Sequence, residues 1–426
     1  MPAGRCRVTE TVHVLAYGTL DIGVTDTMRV GCLVDPLAAL GVEVRSWQSF
    51  ADDLLSGNDR SAAASQPPTG DFLRDAGLTA MAWADVILFR RFHSTHSVCT
   101  ECEAAFPGTA EHEAHLRSTG HFSVKTDPLF RHVVDLIAAN PSLLGGRGIV
   151  YETDDDLLDC PDWTGIGPTT RRERDLIQRL LLMADLVTTT TPVLAERLAS
   201  IAPAPVRVIR NAINPAWYTA AVPDDVARAP GDPRVVYHGV PVRLRDYQVA
   251  RPAVDAVAAE HPGMRRVWLG AANERRVIAA MDEVRPWVDG PRNFAAALVA
   301  ARPEVGLAPL VDEPFNLAKS ELHWLEYSMA GAATIVSGFS EPGPYDVVRD
   351  GVDGLVARTD ADWLRHMRAL AGSRDLRTEL AGRARERVLG DYDVAERAGE
   401  WADAYRWAAE HGGSRLSPAA RGKAAS

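Results

Sequence analysis

What this chain of 426 residues lacks narrows the reading first. Its 5 cysteines are too few and too scattered for a disulfide framework, so a reducing cytoplasm is the expected compartment. No apolar run approaches the roughly 20 residues that cross a bilayer, and the N-terminus has no long apolar signal core. No membrane span is therefore expected. Positive charge is in deficit, with 46 Lys and Arg against 57 Asp and Glu and a formal net charge of −11. That balance weighs against a protein that grips nucleic-acid phosphates. What is present is ordinary: 46% hydrophobic and 24% charged residues, over a length that suits two domains.

Short apolar runs alternate with helical patterns through both halves. VHVLAY (12–17), VEVRSW (42–47), ADVILF (84–89), GIVYE (148–152), DLVTTTT (185–191) and VRVIRN (206–211) read as buried strands of the first half. A helical pattern from Met28 to Leu40, ended by Gly41, makes the first two strands a strand–helix–strand unit. RVVYHG (234–239), RRVWLG (265–270), VGLAPL (305–310), TIVSGF (334–339) and GLVA (354–357) repeat the alternation in the second half, with a helix over 247–260. The expected fold class is α/β, with two Rossmann-like, doubly wound domains facing a cleft. Pro215 marks the crossover between them. From Gly412 the chain is rich in Ser, Ala, Gly and Arg, which predicts a disordered tail over 412–426.

The stretch Asp312–Gly331, DEPFNLAKSELHWLEYSMAG, is the most informative. It reads as a polar loop and an amphipathic helix between two buried strands. Leu322, Leu325 and Met329 mark the core face of that helix, and Gly331 stands where a left-handed cap is wanted. Asn316, Lys319 and Ser320 are expected on its first turn, where free N–H groups and the helix dipole favour an anion. A helix opening at the carboxyl end of a strand is a phosphate site of doubly wound folds.

FNLAKSELHWLEYSMAG, followed by TIVSGFSEPGPYDVVRDGVDGLV, resembles the donor-sugar segment of GT-B glycosyltransferases related to family 4. IVYETDDDLLDCP (149–161), ADLVTTTTPVLAERL (184–198), RVIRNAINPAWY (207–218) and VVYHGVPVRLRDY (235–247) resemble further family segments in the family's order. The resemblance implies transfer of a sugar from a nucleoside diphosphate sugar, with retention and without a catalytic metal. It implies an N-terminal acceptor domain over 1–215 and a C-terminal donor domain over 216–394. A final helix over 395–411 would pack back on the first domain. By resemblance, Lys319 and Arg243 would stabilise the leaving diphosphate, with Gly239 and Arg245 beside them. Glu326 would hold the ribose, since a carboxylate accepts from two vicinal hydroxyls. The family's pair is Glu-x7-Glu, yet Ala318 stands eight residues before Glu326. Glu313 and Glu321 have that spacing without the LEYSMAG context, so this register is set aside. Asn316 is the residue left to contact the sugar, and His93 is a candidate cleft residue. The acceptor stays open between a glycan, a lipid, a small molecule and a protein. Asp154, Asp155 and Asp156 are expected to end a strand and cap a following helix, LLDC.

One segment departs from the family pattern. Cys99-x2-Cys102-x12-His115-x5-His121 has the spacing of a Cys2His2 zinc site, with Phe106 at the aromatic core position. The expectation is a small zinc-finger-like insertion over 99–121, closed around a structural Zn2+. Four glutamates against Arg117 make it acidic, which disfavours phosphate backbones. A nucleic-acid-directed protein using this finger is one alternative. A non-catalytic nucleotide-sugar binder, motivated by the missing first Glu, is the other.

Overall fold

A computed structural model describes residues 11–17, 29, 31–46, 79–90, 133–134, 137–161, 171–219, 233–239, 243–270, 281–286, 288 and 290–413. His93 and the expected zinc ligands Cys99, Cys102, His115 and His121 lie outside the described residues, as does most of the expected tail.

Two six-stranded sheets, each wholly parallel among the described residues, organise the chain. The first holds β1 (Val12–Tyr17), β2 (Val42–Ser46), β3 (Val86–Arg90), β4 (Gly148–Thr153), β5 (Leu186–Thr189) and β6 (Val206–Val208). Their order is β2-β1-β3-β4-β5-β6. The helices α1 (Val34–Ala39), α2 (Arg171–Met183) and α3 (Pro192–Ala199) belong to this half. β3 and β4 are buried along their whole length, as continuous apolar runs require when both faces of a parallel sheet are covered.

The second sheet holds β7 (Arg234–His238), β8 (Arg265–Leu269), β9 (Glu283–Arg285), β10 (Val305–Ala308), β11 (Ala333–Ser337) and β12 (Leu355–Ala357). The order β12-β11-β10-β7-β8-β9 is that of a dinucleotide-binding sheet, with the chain reversing direction between β7 and β10. Helices α4 (Leu244–Glu260), α5 (Pro291–Ala301), α6 (Pro314–Leu317), α7 (Leu322–Met329), α8 (Asp360–Gly372) and α9 (Arg374–Asp391) surround it. Each sheet separates two apolar cores.

The last helix, α10 (Val394–His411), lies against α1, β1, β3 and β4 of the first sheet. Ala398, Trp401, Ala402 and Tyr405 supply its buried stripe. A buried ion pair anchors the same face. Arg29, 0% exposed, donates to Glu152 Oε1 at 3.0 Å and to the Ile209 carbonyl, and its guanidinium lies 5.1 Å from the Trp401 ring. One arginine thus ties β4, the end of β6 and α10 together.

The Asp312–Gly331 stretch differs from the single helix expected of it. It folds as a short α6 and a separate α7, with Ala318–Glu321 between them. Lys319 and Ser320 therefore stand in the break rather than on a first helical turn. The first domain supplies the reason by claiming the linking residues. Thr191 Oγ1 donates to the Ala318 carbonyl at 3.0 Å, Asn211 Nδ2 to Ser320 Oγ at 2.8 Å, and Arg210 pairs with Glu321 at 3.2 Å. Tertiary partners here outweigh local helix propensity. Leu325 and Met329 are buried, and Gly331 adopts φ 83°, the left-handed cap its position requires.

The aspartate run is a second correction. Residues 157–159 form bends rather than a helix, and locally Asp156 Oδ1 accepts from the Asp159 N–H at 3.2 Å. Instead Asp155 Oδ1 meets Lys319 Nζ at 2.9 Å, and Asp156 Oδ2 meets Arg197 at 2.9 Å. One cation comes from the second domain and the other from α3 of the first.

Candidate active site

The site lies at the carboxyl ends of β7 and β10, where the strand order reverses and a crevice opens between their connections. β7 ends in His238, and the following Gly239 donates its N–H to the Leu269 carbonyl at 3.1 Å. Arg243 immediately precedes α4, and Arg245 occupies its first turn. From the β10 side come Asn316 on α6, Lys319 and Ser320 in the break, and Glu326 on α7.

Each cation here has a carboxylate. Lys319, 7% exposed, reaches across to Asp155, 9% exposed, and lies 4.2 Å from the Phe315 ring centroid. Arg243 pairs with the fully buried Asp246 at 3.3 Å. Burial disfavours its charge, but Asp246, Tyr237 and Asp155 outweigh that and hold its pKa above the usual arginine value. Arg245 meets Glu313 at 2.6 Å, and Glu313 Oε1 is buried with no hydrogen-bond partner. Asn316 is clamped inside the protein: its Nδ2 donates to Asp246 Oδ1 and to the Val311 carbonyl, both at 3.0 Å. Ser320 faces Asn211 of the first domain. The structure thus gathers Arg243, Lys319 and Asp155 at one point and sets Arg245 with Glu313 beside them.

Glu326 sits deeper, 2% exposed, with its Oε2 3.3 Å from His238 Nε2. Burial pushes its pKa up to about 8. Burial, helped by Arg243, pushes His238 down to about 3. The distance is that of an ion pair, yet burial shifts both groups toward their uncharged forms. His323, one turn before Glu326 on α7, packs beside His238 with ring centroids 4.2 Å apart and planes tilted by 49°. Its pKa is pushed well down by burial, then by His238, Arg243 and Lys319.

Tyr327 positions this group. Its hydroxyl donates to the Val236 carbonyl at 3.0 Å and accepts from the His238 N–H at 3.1 Å. Its ring lies flat over Gly306 of β10, where a Cβ would fall 2.4 Å from the ring. A glycine inside a strand marks such a close approach.

Sequence reasoning passed over His238, His323, Asp155 as a lysine partner, and Asp246. His238 had a signal, since it ends a strand directly before a candidate glycine. The others depend on segments distant in the chain.

Residues 245–403 match a family model described as glycosyl transferase-like. Among solved structures the chain is similar to sucrose-phosphate synthase from Thermosynechococcus elongatus, with 14% identity, a TM-score of 0.55, and coverage of 93% of this chain and 99% of that one. HepE from Anabaena, solved in complex with UDP and glucose, gives 13% identity, a TM-score of 0.55, and coverage of 93% and 99%. A UDP-forming trehalose-phosphate synthase from Burkholderia xenovorans gives 12% identity, a TM-score of 0.51, and coverage of 93% and 99%. No curated protein matches the chain. The structural likenesses establish the two-domain GT-B fold. With the family match over the second domain, they define the class of enzyme: a glycosyltransferase. Among the described residues no helix is long and apolar enough to cross a membrane.

Proposed function

We propose that the chain transfers a sugar from a UDP-sugar to an acceptor bound against the first domain, with retention of anomeric configuration, as a relative of family 4. The observation that carries this reading is the meeting of Arg243 and Lys319 at the crevice between β7 and β10. Asp246 and Asp155 hold these cations in place, and a diphosphate would take them over as its bond to the sugar breaks. The fold shared with HepE, which binds UDP and glucose, supports a UDP-sugar.

In this reading Lys319 and Arg243 stabilise the leaving diphosphate, with Arg245 and the Gly239 turn beside them. Vicinal ribose hydroxyls supply Glu326 with the donors that its buried carboxyl lacks. Asn316 contacts the sugar hydroxyls, Ser320 adds a donor to the anion site, and His93 would act in the cleft near the reacting sugar. Front-face substitution needs no enzymic nucleophile, so none is assigned. Residues 1–215 form the acceptor domain, 216–394 the donor domain, and 395–411 the returning helix. The spacing of Cys99, Cys102, His115 and His121 supports a structural Zn2+ that braces an insertion and tunes acceptor choice. The low cysteine content supports a cytoplasmic enzyme.

The test is release of nucleoside diphosphate from UDP-, GDP-, ADP- and TDP-sugars, with wild type beside Glu326→Ala. Release from the UDP-sugar, cut at least tenfold in the variant, is the expected result. No release, together with no calorimetric binding of any donor, would overturn the reading.

A further inference from the structure

His238, His323 and Glu326 form a cluster whose polar atoms find little inside the protein. Their ligand-type atoms all lie within 4.8 Å of one another. His238 is 4% exposed, and its Nε2 has no hydrogen-bond partner although Glu326 Oε2 lies 3.3 Å away. His323 Nδ1 is likewise buried without a partner. Orphaned buried nitrogens are rare in folded proteins, and two of them converging on one carboxyl point to a partner not made of protein.

We infer that His238, His323 and Glu326 form a binding site for one divalent transition-metal ion. His323 and Glu326 are three apart on α7 and so share a helix face, while His238 closes the set from the end of β7. Two imidazoles and a carboxylate suit Zn2+, Co2+ or Ni2+ and disfavour Mg2+ or Ca2+, which prefer all-oxygen sets. Tetrahedral bonds of about 2.0–2.1 Å place ligand atoms roughly 3.3 Å apart. His238 and Glu326 already have that separation, and a ring nitrogen of His323 lies within 4.8 Å of both. Three protein ligands leave a fourth position open for water.

The site has a consequence that rests on the proposed donor reading. An ion on Glu326 removes the carboxyl that would hold the ribose, so metal and nucleotide exclude each other. The ion is then an inhibitor of donor binding rather than a participant in transfer.

The experiment uses the full chain carrying Cys99→Ser and Cys102→Ser, stripped with chelator, so that the Cys99-x2-Cys102 pair contributes no thiolate. Co2+ is titrated and followed by its visible absorption and by calorimetry. One equivalent should bind, with affinity at least tenfold weaker in His323→Ala and in His238→Ala and unchanged in His411→Ala. His323 is partly exposed, so His323→Ala keeps the test valid should His238→Ala fail to fold. No binding to the parent, or unchanged affinity in His323→Ala, overturns the site. UDP binding is then measured with and without one equivalent of Zn2+, in parent and His323→Ala. A tenfold or greater loss confined to the parent supports the exclusion. Co2+ binding through the three residues with UDP affinity unaffected upholds the metal site and sinks the ribose role of Glu326.

Discussion

Replacing Gly306 by alanine should loosen the second domain at its centre. The added methyl would sit 2.4 Å from Tyr327 Cγ and 2.6 and 2.7 Å from its two Cδ atoms. Carbon atoms rest about 3.5–4.0 Å apart, so the ring must retreat by roughly 1 Å. The Tyr327 hydroxyl cannot follow, because its bonds to Val236 O and His238 N are already 3.0 and 3.1 Å long. Overpacking costs about 1–3 kcal/mol, and leaving buried groups unpaired costs about 1–3 kcal/mol more. Together these set the expected loss for Gly306→Ala at about 2–6 kcal/mol. The assay is a double-mutant cycle with Tyr327→Ala, read by urea denaturation through the fluorescence of the second domain's buried tryptophans. With the ring gone the methyl has room, so Gly306→Ala should then be nearly neutral and the coupling about 2 kcal/mol or more. Additivity within about 0.5 kcal/mol would refute the argument that ring and strand touch.

Three further outcomes follow from particular contacts. Glu152→Ala leaves Arg29 buried without its carboxylate and should cost about 3–5 kcal/mol; calorimetry showing an unchanged melting temperature would remove the pair from the anchoring of α10. Lys319→Ala should lower kcat/KM by about 100-fold or more, the range for losing a charge-stabilising donor; a drop below about threefold would take Lys319 away from the diphosphate. Asp282 receives hydrogen bonds from Arg266 side chain and backbone, which, against partial burial, hold its carboxyl below the usual value of 3.8. Its folded pKa is depressed, so its contribution is present above pH 3.8 and is lost as pH falls through the folded value. The stability gap between wild type and Asp282→Asn should therefore close in acid, and a gap that persists at low pH would contradict that linkage.

Much of the architecture was legible because burial on both faces writes itself as apolar runs. VILFR in β3 and ATIVS in β11 need no partner to be recognised. β9, Glu283–Arg285, escaped notice because an edge strand of three residues with two charged side chains carries no such run. Gly331 was readable from its neighbours alone, since a helix cap is a local event. The candidate site was legible only in outline. Lys319, Arg243 and Glu326 stood out by residue type and by resemblance, but nothing in their neighbourhoods named their partners. Lys319 lies 164 positions from Asp155, and Arg210 lies 111 from Glu321.

The sequence by itself determined the two doubly wound sheets, because hydrophobic periodicity and cap chemistry act over a few residues and survive reading in one dimension. Tertiary structure alone decided that one expected helix is split by contacts from the other domain and that the aspartate run holds Lys319 across the cleft. It also decided that Glu326 lies against two histidines rather than open to solvent. Those outcomes depend on distances between segments far apart in the chain, and on the low polarity that arises only when both domains exclude water.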